Sequence, residues 1–282
     1  MGKKIPPENN DKKSEMDMPA LFLQSRQALQ VTPGTMDFYR KKLGMFLKFV
    51  NPDTARRQDI DAFLIRFENA GNRHCYYRAL RTFFSWREDT FGIKSPMHKM
   101  KPPKVPKVIL PALSQDQVLG LIKACRRVRD KAIISLFVES GIRLNELARI
   151  IEADIDWRKR IIRVTVKGQK EGYAIFGKET EKYLKAWLAE YKPDGGIIWD
   201  LGYWGIVSML RRLREEAGLP CNAHVYRRTF ACLLRKSGLS TLTIKDLGRW
   251  ESTYMVEHYT KSMGFFDSVK FYKPPLSKQD DA

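Results

Sequence analysis

Residues 159–176, KRIIRVTVKGQKEGYAIF, decide the fold class of this chain. Two short runs rich in β-branched residues flank a glycine-bounded turn at 168–172, which is the pattern of an antiparallel β-hairpin. Elsewhere the apolar residues recur every three or four positions, and this spacing indicates amphipathic helices. The sequence therefore predicts a mainly α fold with one small antiparallel β-sheet, in an α+β arrangement.

The charge of the chain narrows the class of partner. The formal net charge is +19 over 282 residues, and it is spread evenly, with +10 over residues 1–113 and +9 over residues 114–282. An excess of positive charge in both halves favours a polyanion that both halves contact, and nucleic acid is the leading candidate. A basic protein without such a partner fits the shared excess less well.

Three further features exclude other classes. The four cysteines lie far apart without a C-x-x-C pair, which argues against a zinc ribbon or a disulfide framework and is typical of free thiols in a reducing compartment. The polar residues 1–17 lack the apolar core of a signal peptide and predict a disordered leader. No apolar run approaches the length of a membrane span. We therefore expect no metal, no membrane and a cytoplasmic location.

The domain organisation follows from composition. Helical patterns over residues 18–93 predict a first domain. Residues 94–113 are rich in proline and lysine and contain no acidic side chain. Because proline removes amide donors and favours extended backbone, they predict a linker. Residues 114–282 form the second domain, and its first helix is predicted to begin with a capping box from Ser114 to Gln117.

Candidate DNA contacts lie in the first half. Arg73, Tyr77 and Arg81 recur every four residues on one helix face, a stripe that can follow a phosphate backbone. A solvated polar face fits the same spacing. The lysines of the linker are further candidates, as the chain crosses between domains, and they are Lys101, Lys104 and Lys107.

Two motifs of the second half carry arginine. SGIRLNEL, residues 140–147, has a helix-ending glycine at Gly141, places Arg143 two positions later and places Glu146 three positions after that. NAHVYRRTFA, residues 222–231, places His224 and Arg227 on one side of a helix start, where two cations and the helix dipole form an anion site. Each motif alone also fits an ordinary structural role, an ion pair or a helix cap.

Two further features complete the set. The hairpin carries Lys167 and Lys170 near its turn, where a lysine is usually only solvated. Lys170 is also a candidate DNA contact. LGRWESTYMVEHYTKS, residues 247–262, places Trp250 nine positions before Tyr259 and also contains Tyr254. Taken alone, this stretch leaves open whether either tyrosine is a nucleophile or both are core aromatics.

In this order and at these intervals, the four features resemble the tyrosine recombinases, also called the phage integrase or Xer/Cre type. The resemblance covers the second half by motif, and the first half only as a basic helical bundle followed by a linker. It implies a two-domain clamp on DNA, with residues 18–93 as a core-binding (SAM-like) bundle and residues 114–282 as the catalytic domain. Trp250 stands where many members have histidine, and Tyr226 where leucine is usual.

The resemblance also implies the activity of a site-specific DNA recombinase. Such an enzyme cuts and rejoins DNA strands through a 3′-phosphotyrosyl intermediate, without metal or cofactor. Tyr259 is the expected nucleophile. A guanidinium group donates paired hydrogen bonds to phosphate, so Arg143 and Arg227 are expected to hold the scissile group. The other candidates are His224 as the base, Lys167 as the general acid with Lys170 as its substitute, and Trp250 as a hydrogen-bond donor.

The partners implied are double-stranded DNA and further copies of the chain. A homo-tetramer on paired sites is the expected active form, with a monomer or weak oligomer in the absence of DNA, and a need for an accessory protein stays open. The apolar segment 264–273 is expected to dock on a neighbouring protomer, with packing on its own domain as the alternative. Two other functions fit part of the pattern: a non-catalytic architectural DNA-binding protein, and a type IB topoisomerase.

Overall fold

The computed structural model describes residues 17–106, 110–166 and 170–261, together with residues 264, 267, 269 and 271. The predicted leader lies outside this part of the chain, except for Asp17, which caps the first helix. The chain divides into two compact units, Met1–Lys107 and Val108–Ala282, so the boundary falls within the predicted linker. Among the described residues, no helix is both long and apolar enough to cross a lipid bilayer.

The first unit is a helical bundle with an aromatic core. Thr32 caps its second helix by accepting a hydrogen bond from the amide of Thr35, and a proline follows the cap as predicted. Phe22 and Phe83 are fully buried and pack edge to face, with ring centroids 5.4 Å apart. The helices described in this unit are α1 (Met18–Ala28), α2 (Pro33–Leu47), α3 (Arg57–Ile65) and α4 (Ala70–Phe91).

The first part of the predicted linker packs against this bundle. Met97 and Met100 are buried in its core, and the Tyr77 hydroxyl donates a 2.6 Å hydrogen bond to the carbonyl of Met100. The composition of residues 94–113 indicates irregular backbone, and residues 94–106 and 110–113, which the structure describes, have it. The interpretation of the whole segment as unpacked does not hold for these two methionines, because their side chains fill space between the helices.

The second unit combines helices with a small antiparallel sheet. The sheet has three strands in the order β1-β2-β3 within the described residues: β1 (Ile155–Asp156), β2 (Ile161–Val166) and β3 (Lys170–Ile175). The pairing of β2 with β3 confirms the predicted hairpin, and its turn at 167–169 lies outside the described residues. The mainly α fold with one small antiparallel sheet is confirmed. The helices around it are α5 (Gln115–Ala124), α6 (Val128–Ser140), α7 (Leu144–Leu147), α8 (Lys178–Glu190), α9 (Tyr203–Ala217), α10 (Ala223–Lys236), α11 (Thr241–Gly248) and α12 (Thr253–Tyr259).

Helix α6 runs through the core of the second unit and ends at the site described below. Most of its residues are buried, and the hydrophobic core surrounds it. It ends at Gly141, whose backbone is left-handed (φ +56°), a conformation that favours glycine. A Cβ at this position would lie 2.5 Å from the ring of Phe230 on α10, so the close approach of α6 to α10 also requires glycine.

The last three helices share a hydrophobic cluster of their own. Phe230, Ile244, Trp250 and Val256 are its large buried members, and they join α10, α11 and α12. This cluster is separate from the larger core around α6. The end of α12, where Tyr259 lies, is therefore positioned by its packing on α10 and on the Trp250 ring.

Candidate active site

Arg143 lies at the start of α7, immediately after the turn that ends α6. Its backbone amide and its Nη1 both donate to the Glu146 carboxylate, at 3.1 and 2.7 Å. The Glu146 side chain is only 4% exposed, whereas that of Arg143 is 39% exposed. The buried Glu146 carboxylate therefore holds the Arg143 side chain in place and leaves part of its guanidinium accessible to a ligand.

The Arg227 side chain contacts two other segments that carry candidate site residues, residues 140–147 and residues 247–262. Its guanidinium donates to the carbonyl of Gly141 at the end of α6 and to the carbonyl of Gly248 at the end of α11. It also lies over the ring of Trp250, 4.2 Å from the ring centroid. These contacts hold a buried cation in one orientation, as the binding of a phosphate requires.

The environment of Arg227 is strongly cationic. Burial, together with the charges of Arg143 and Arg249, lowers the pKa of Arg227 to about 9. The group is still protonated near neutral pH, so it places a positive charge in a buried position. Such a charge favours the binding of an anion beside it.

His224 lies in the first turn of α10, three residues before Arg227. Asn222 caps this helix by accepting a hydrogen bond from the amide of Val225, so the histidine sits where the helix presents free amides. Partial burial, followed by the charges of Arg228, Arg227 and Arg143, lowers the pKa of His224 below its ordinary value of 6.5. Near neutral pH the imidazole is therefore uncharged and can accept a proton.

In the DNA-free protein, His224 is expected to titrate below pH 6.5. The folded state disfavours its protonation, so the stability linked to this group is complete above pH 6.5 and falls as the pH drops through the lowered pKa. An NMR titration of the histidine ring carbons measures this value, with His224→Gln identifying the resonance. A pKa at or above 6.5 would contradict the cationic surroundings described here.

The Trp250 ring packs against Tyr259, the candidate nucleophile. It is buried, and a Cβ on Gly248 would lie 1.8 Å from its ring, so the indole fits only over glycine. The ring of Tyr259 meets it edge to face, with centroids 5.7 Å apart. Tyr254, by contrast, is 64% exposed and pairs with the ring of His258. Only Tyr259 of these two tyrosines packs beside the arginine site.

The hairpin reaches the same region. Arg249 Nη1 donates a 3.1 Å hydrogen bond to the carbonyl of Tyr173 on β3. Lys170 is the first residue of this strand and is exposed. Lys167 lies outside the described residues, so its assignment as general acid, with Lys170 as substitute, stays a prediction.

The predicted DNA-contacting stripe of the first unit makes internal hydrogen bonds. Arg73 donates to the carbonyl of Phe67, and Arg81 donates to the Tyr77 hydroxyl and to the carbonyl of Met100. Tyr77 is buried, with 3% of its surface exposed. A role of the stripe in binding DNA stays a prediction, and for Tyr77 the structure describes a packing role.

The linker lysines are only partly described. Lys101 and Lys104 are exposed, as contact with a phosphate backbone requires, and Lys107 lies outside the described residues. The segment 264–273 is also largely outside them. Of its described residues, Phe271 lies against Gly238 of its own unit, where a Cβ would stand 2.9 Å from the ring. Docking on a neighbouring protomer stays a prediction.

Sequence reasoning missed Arg249, which contacts several parts of the site. It lies between Gly248 and Trp250, and its side chain is 9% exposed. In the sequence, a basic residue just after a helix is typical of a C-terminal cap, and no local signal distinguishes a buried arginine there. Within the described residues, no group of three or more potential metal ligands is found.

Comparison with known proteins agrees with this geometry. Residues 111–264, more than half of the chain, match the model of the phage integrase family. The chain is 28% identical over 233 residues to tyrosine recombinase XerA of Saccharolobus solfataricus, covering 76% of this chain and 77% of that protein. It is 24% identical over 269 residues to tyrosine recombinase XerD of Listeria innocua, covering 82% of this chain and 90% of that protein.

A lambda integrase dimer bound to a COC′ core site has the same fold, with a TM-score of 0.74 at 17% identity over 88% of this chain and 95% of that one. The chain therefore belongs to the phage integrase family of tyrosine recombinases.

Proposed function

We propose that Tyr259 is the nucleophile of this chain. Its family is that of the tyrosine-type site-specific DNA recombinases. The observation that carries the assignment is the position of Arg227. This one guanidinium bonds to the segment before Arg143 and to the segment before Trp250, and it covers the ring on which Tyr259 packs. Two arginines and a phenol from separate parts of the sequence are thereby brought to one place.

The proposed reaction is a transesterification at phosphorus. The Tyr259 oxygen attacks the scissile phosphate and forms a P–O bond, while the bond from phosphorus to the 5′-oxygen breaks. The phenol loses its proton to a base, and the departing 5′-oxygen gains one from an acid. A 3′-phosphotyrosyl ester and a free 5′-hydroxyl result. Because one phosphodiester replaces another, the step needs no external energy source and reverses when a 5′-hydroxyl attacks the ester.

The two arginines have different parts in this reaction. Arg143 has an exposed guanidinium, so it is suited to donate hydrogen bonds to the non-bridging oxygens. Arg227 is 3% exposed and already bonds to two carbonyls, so its main contribution is a fixed positive charge in a desolvated place. Charges held in such places stabilise a transition state more than mobile ones because they need no reorganisation.

The proton transfers are assigned to His224 and the hairpin. His224 is uncharged near neutral pH because its pKa is lowered, so it can take the proton of the Tyr259 phenol. A free phenol has a pKa of about 10, and a nearby base is needed for attack near neutrality. The lysine of the hairpin, Lys167 or Lys170, is the proposed acid for the 5′-oxygen. Trp250 cannot accept a proton, and it supports the ring of Tyr259 instead.

DNA is the proposed partner of both units. The excess positive charge is shared between the two halves of the chain, and a polyanion contacting both halves accounts for it. Solved relatives of the same fold include a lambda integrase dimer bound to a core site and a lambda integrase tetramer bound to a Holliday junction. We propose that this chain likewise acts as a tetramer on paired sites and works in the cytoplasm.

The first test is covalent capture of DNA. The substrate is a pool of DNA duplexes with randomised sequence, each with a nick near its centre. After cleavage, the short fragment between the cut and the nick diffuses away, so the strand cannot be rejoined and the phosphotyrosyl ester persists. The protein is expected to form an SDS-resistant adduct, whose DNA can be sequenced to find the target. Mass spectrometry of the peptide 250–261 should place the nucleotide on Tyr259 and not on Tyr254. An architectural protein would bind DNA without any adduct, and a topoisomerase would form one with little preference for sequence.

A further inference from the structure

Arg249 occupies a backbone conformation that its residue type does not favour. It follows the last turn of α11 with φ +57° and ψ 44°, and its amide bonds to the carbonyls of Asp246 and Lys245. Glycine is the usual residue at a left-handed helix end, because a side chain there crowds the backbone. Arg249 therefore stands where glycine would fit the backbone without strain.

The side chain of Arg249 bonds to three elements of the site. It donates to the carbonyl of Ser140 at the end of α6, at 3.4 Å, and to the carbonyl of Tyr173 on β3, at 3.1 Å. Its Nη2 lies 3.5 Å from the Glu146 carboxylate. The carbonyl of Arg249 in turn accepts a 3.3 Å hydrogen bond from Arg143 Nη2. One residue thus links the sheet, the end of α6 and the first arginine of the site.

The charges at the site depend on this residue. Glu146 is shared, with one oxygen on the Arg143 guanidinium and the other 3.5 Å from Arg249. Arg143, Arg227 and Arg249 form a group with Glu146, and its three guanidinium groups and one carboxylate leave two positive charges uncompensated. The attack of a phenolate on a phosphodiester creates two negative charges at phosphorus. Without Arg249, Glu146 would neutralise Arg143, and this group would keep only one positive charge.

We propose that Arg249 is a positioning residue of the phosphate site, which shares Glu146 so that Arg143 keeps its charge available and which fixes β3 beside it. The inference rests on the proposed function, because it assumes that a phosphate binds there. It goes beyond that function in assigning a third guanidinium to the site.

The test compares variants in single-turnover cleavage of the nicked substrate recovered by covalent capture. Arg249→Gly suits the left-handed backbone and removes only the side chain, and it is expected to lower the rate of adduct formation about 10- to 100-fold. Dissociation constants for DNA should stay within about threefold, because the residue is buried and acts on the reaction step. Cleavage within about twofold of the wild-type rate would overturn the proposal.

A charge-restoring double variant separates this role from simple support of the fold. Glu146→Gln in the Arg249→Gly background returns the site to two uncompensated positive charges. Its cleavage rate is expected to exceed that of Arg249→Gly by about fivefold or more, whereas loss of structural support predicts a further decrease. A further decrease in the double variant would overturn the proposal.

Two more variants complete the design. Arg160 is a matched control, because its backbone is also left-handed (φ +52°) and its side chain forms an ion pair with Glu181. The Arg160→Gly variant should cleave DNA at a rate within about twofold of the wild type. If Arg249→Gly does not fold, as judged by circular dichroism, Arg249→Gln makes the same charge change with a longer side chain. Failure of the wild type to form any adduct refutes the proposed function, whereas an adduct with equal rates for wild type and variants refutes only this inference.

Discussion

Replacement of Tyr259 by phenylalanine is expected to abolish the SDS-resistant adduct, with a decrease of at least about 10⁴-fold in its rate of formation. The phenylalanine ring keeps the edge-to-face packing on Trp250, so the fold and the phosphate site should be unchanged. What is lost is the oxygen that bonds to phosphorus, and no rearrangement of the ring replaces it. Gel electrophoresis of the labelled nicked substrate measures the adduct, and a gel shift measures DNA binding, which should be retained.

The matched control is Tyr254→Phe. Tyr254 lies on the same helix, is 64% exposed and pairs with His258 away from the arginine site. This variant should form the adduct at the wild-type rate. If Tyr259→Phe formed the adduct and Tyr254→Phe did not, the assignment of the nucleophile would be wrong.

Replacement of Arg227 by glutamine is expected to give the second largest effect, a decrease of about 10²- to 10³-fold in the rate of adduct formation. Arg227 is the most buried cation of the site, so water cannot replace its charge. The carbonyls of Gly141 and Gly248 would also lose their donor, at a cost of about 1–3 kcal/mol in stability for each buried group left unpaired. Cleavage should therefore be measured well below the melting temperature of the variant, which calorimetry provides.

Two companion variants sharpen this experiment. Arg227→Lys keeps the charge but cannot bond to both carbonyls at once, so its cleavage rate should lie between those of Arg227→Gln and the wild type. Arg235→Gln, on the same helix but in its last turn, is the control for a general loss of positive charge. An adduct formed by Arg227→Gln within about tenfold of the wild-type rate would remove Arg227 from the catalytic group.

The sequence could predict those parts of the site that depend on short intervals. The spacing of His224 and Arg227 along α10 follows from helix geometry, and the fold class follows from one hairpin among helical patterns. The interval from Trp250, which precedes α12, to Tyr259 at its end is recognised through the resemblance to the family. The same local reasoning predicted the capping box of Ser114, whose hydroxyl accepts a hydrogen bond from the Gln117 amide.

The parts that could not be predicted depend on contacts between distant segments. The burial of Tyr77 results from Met100, 23 residues later in the chain, so a helical stripe gave no sign of it. Arg249 resembles any basic residue after a helix until the carbonyl of Tyr173 and the carboxylate of Glu146 are brought beside it. Strand β1 has only two residues, too few for an alternating pattern to show.

The anchoring of α12 has a consequence for the timing of strand cleavage. This helix has seven residues, and Val256 is its one buried side chain among those described. Arg227 bonds to the carbonyls of Gly141 and Gly248, which lie outside α12, so we expect a shift of this helix to move the phenol away while these bonds stay intact. Strand cleavage would then stop without loss of the cationic site that binds DNA.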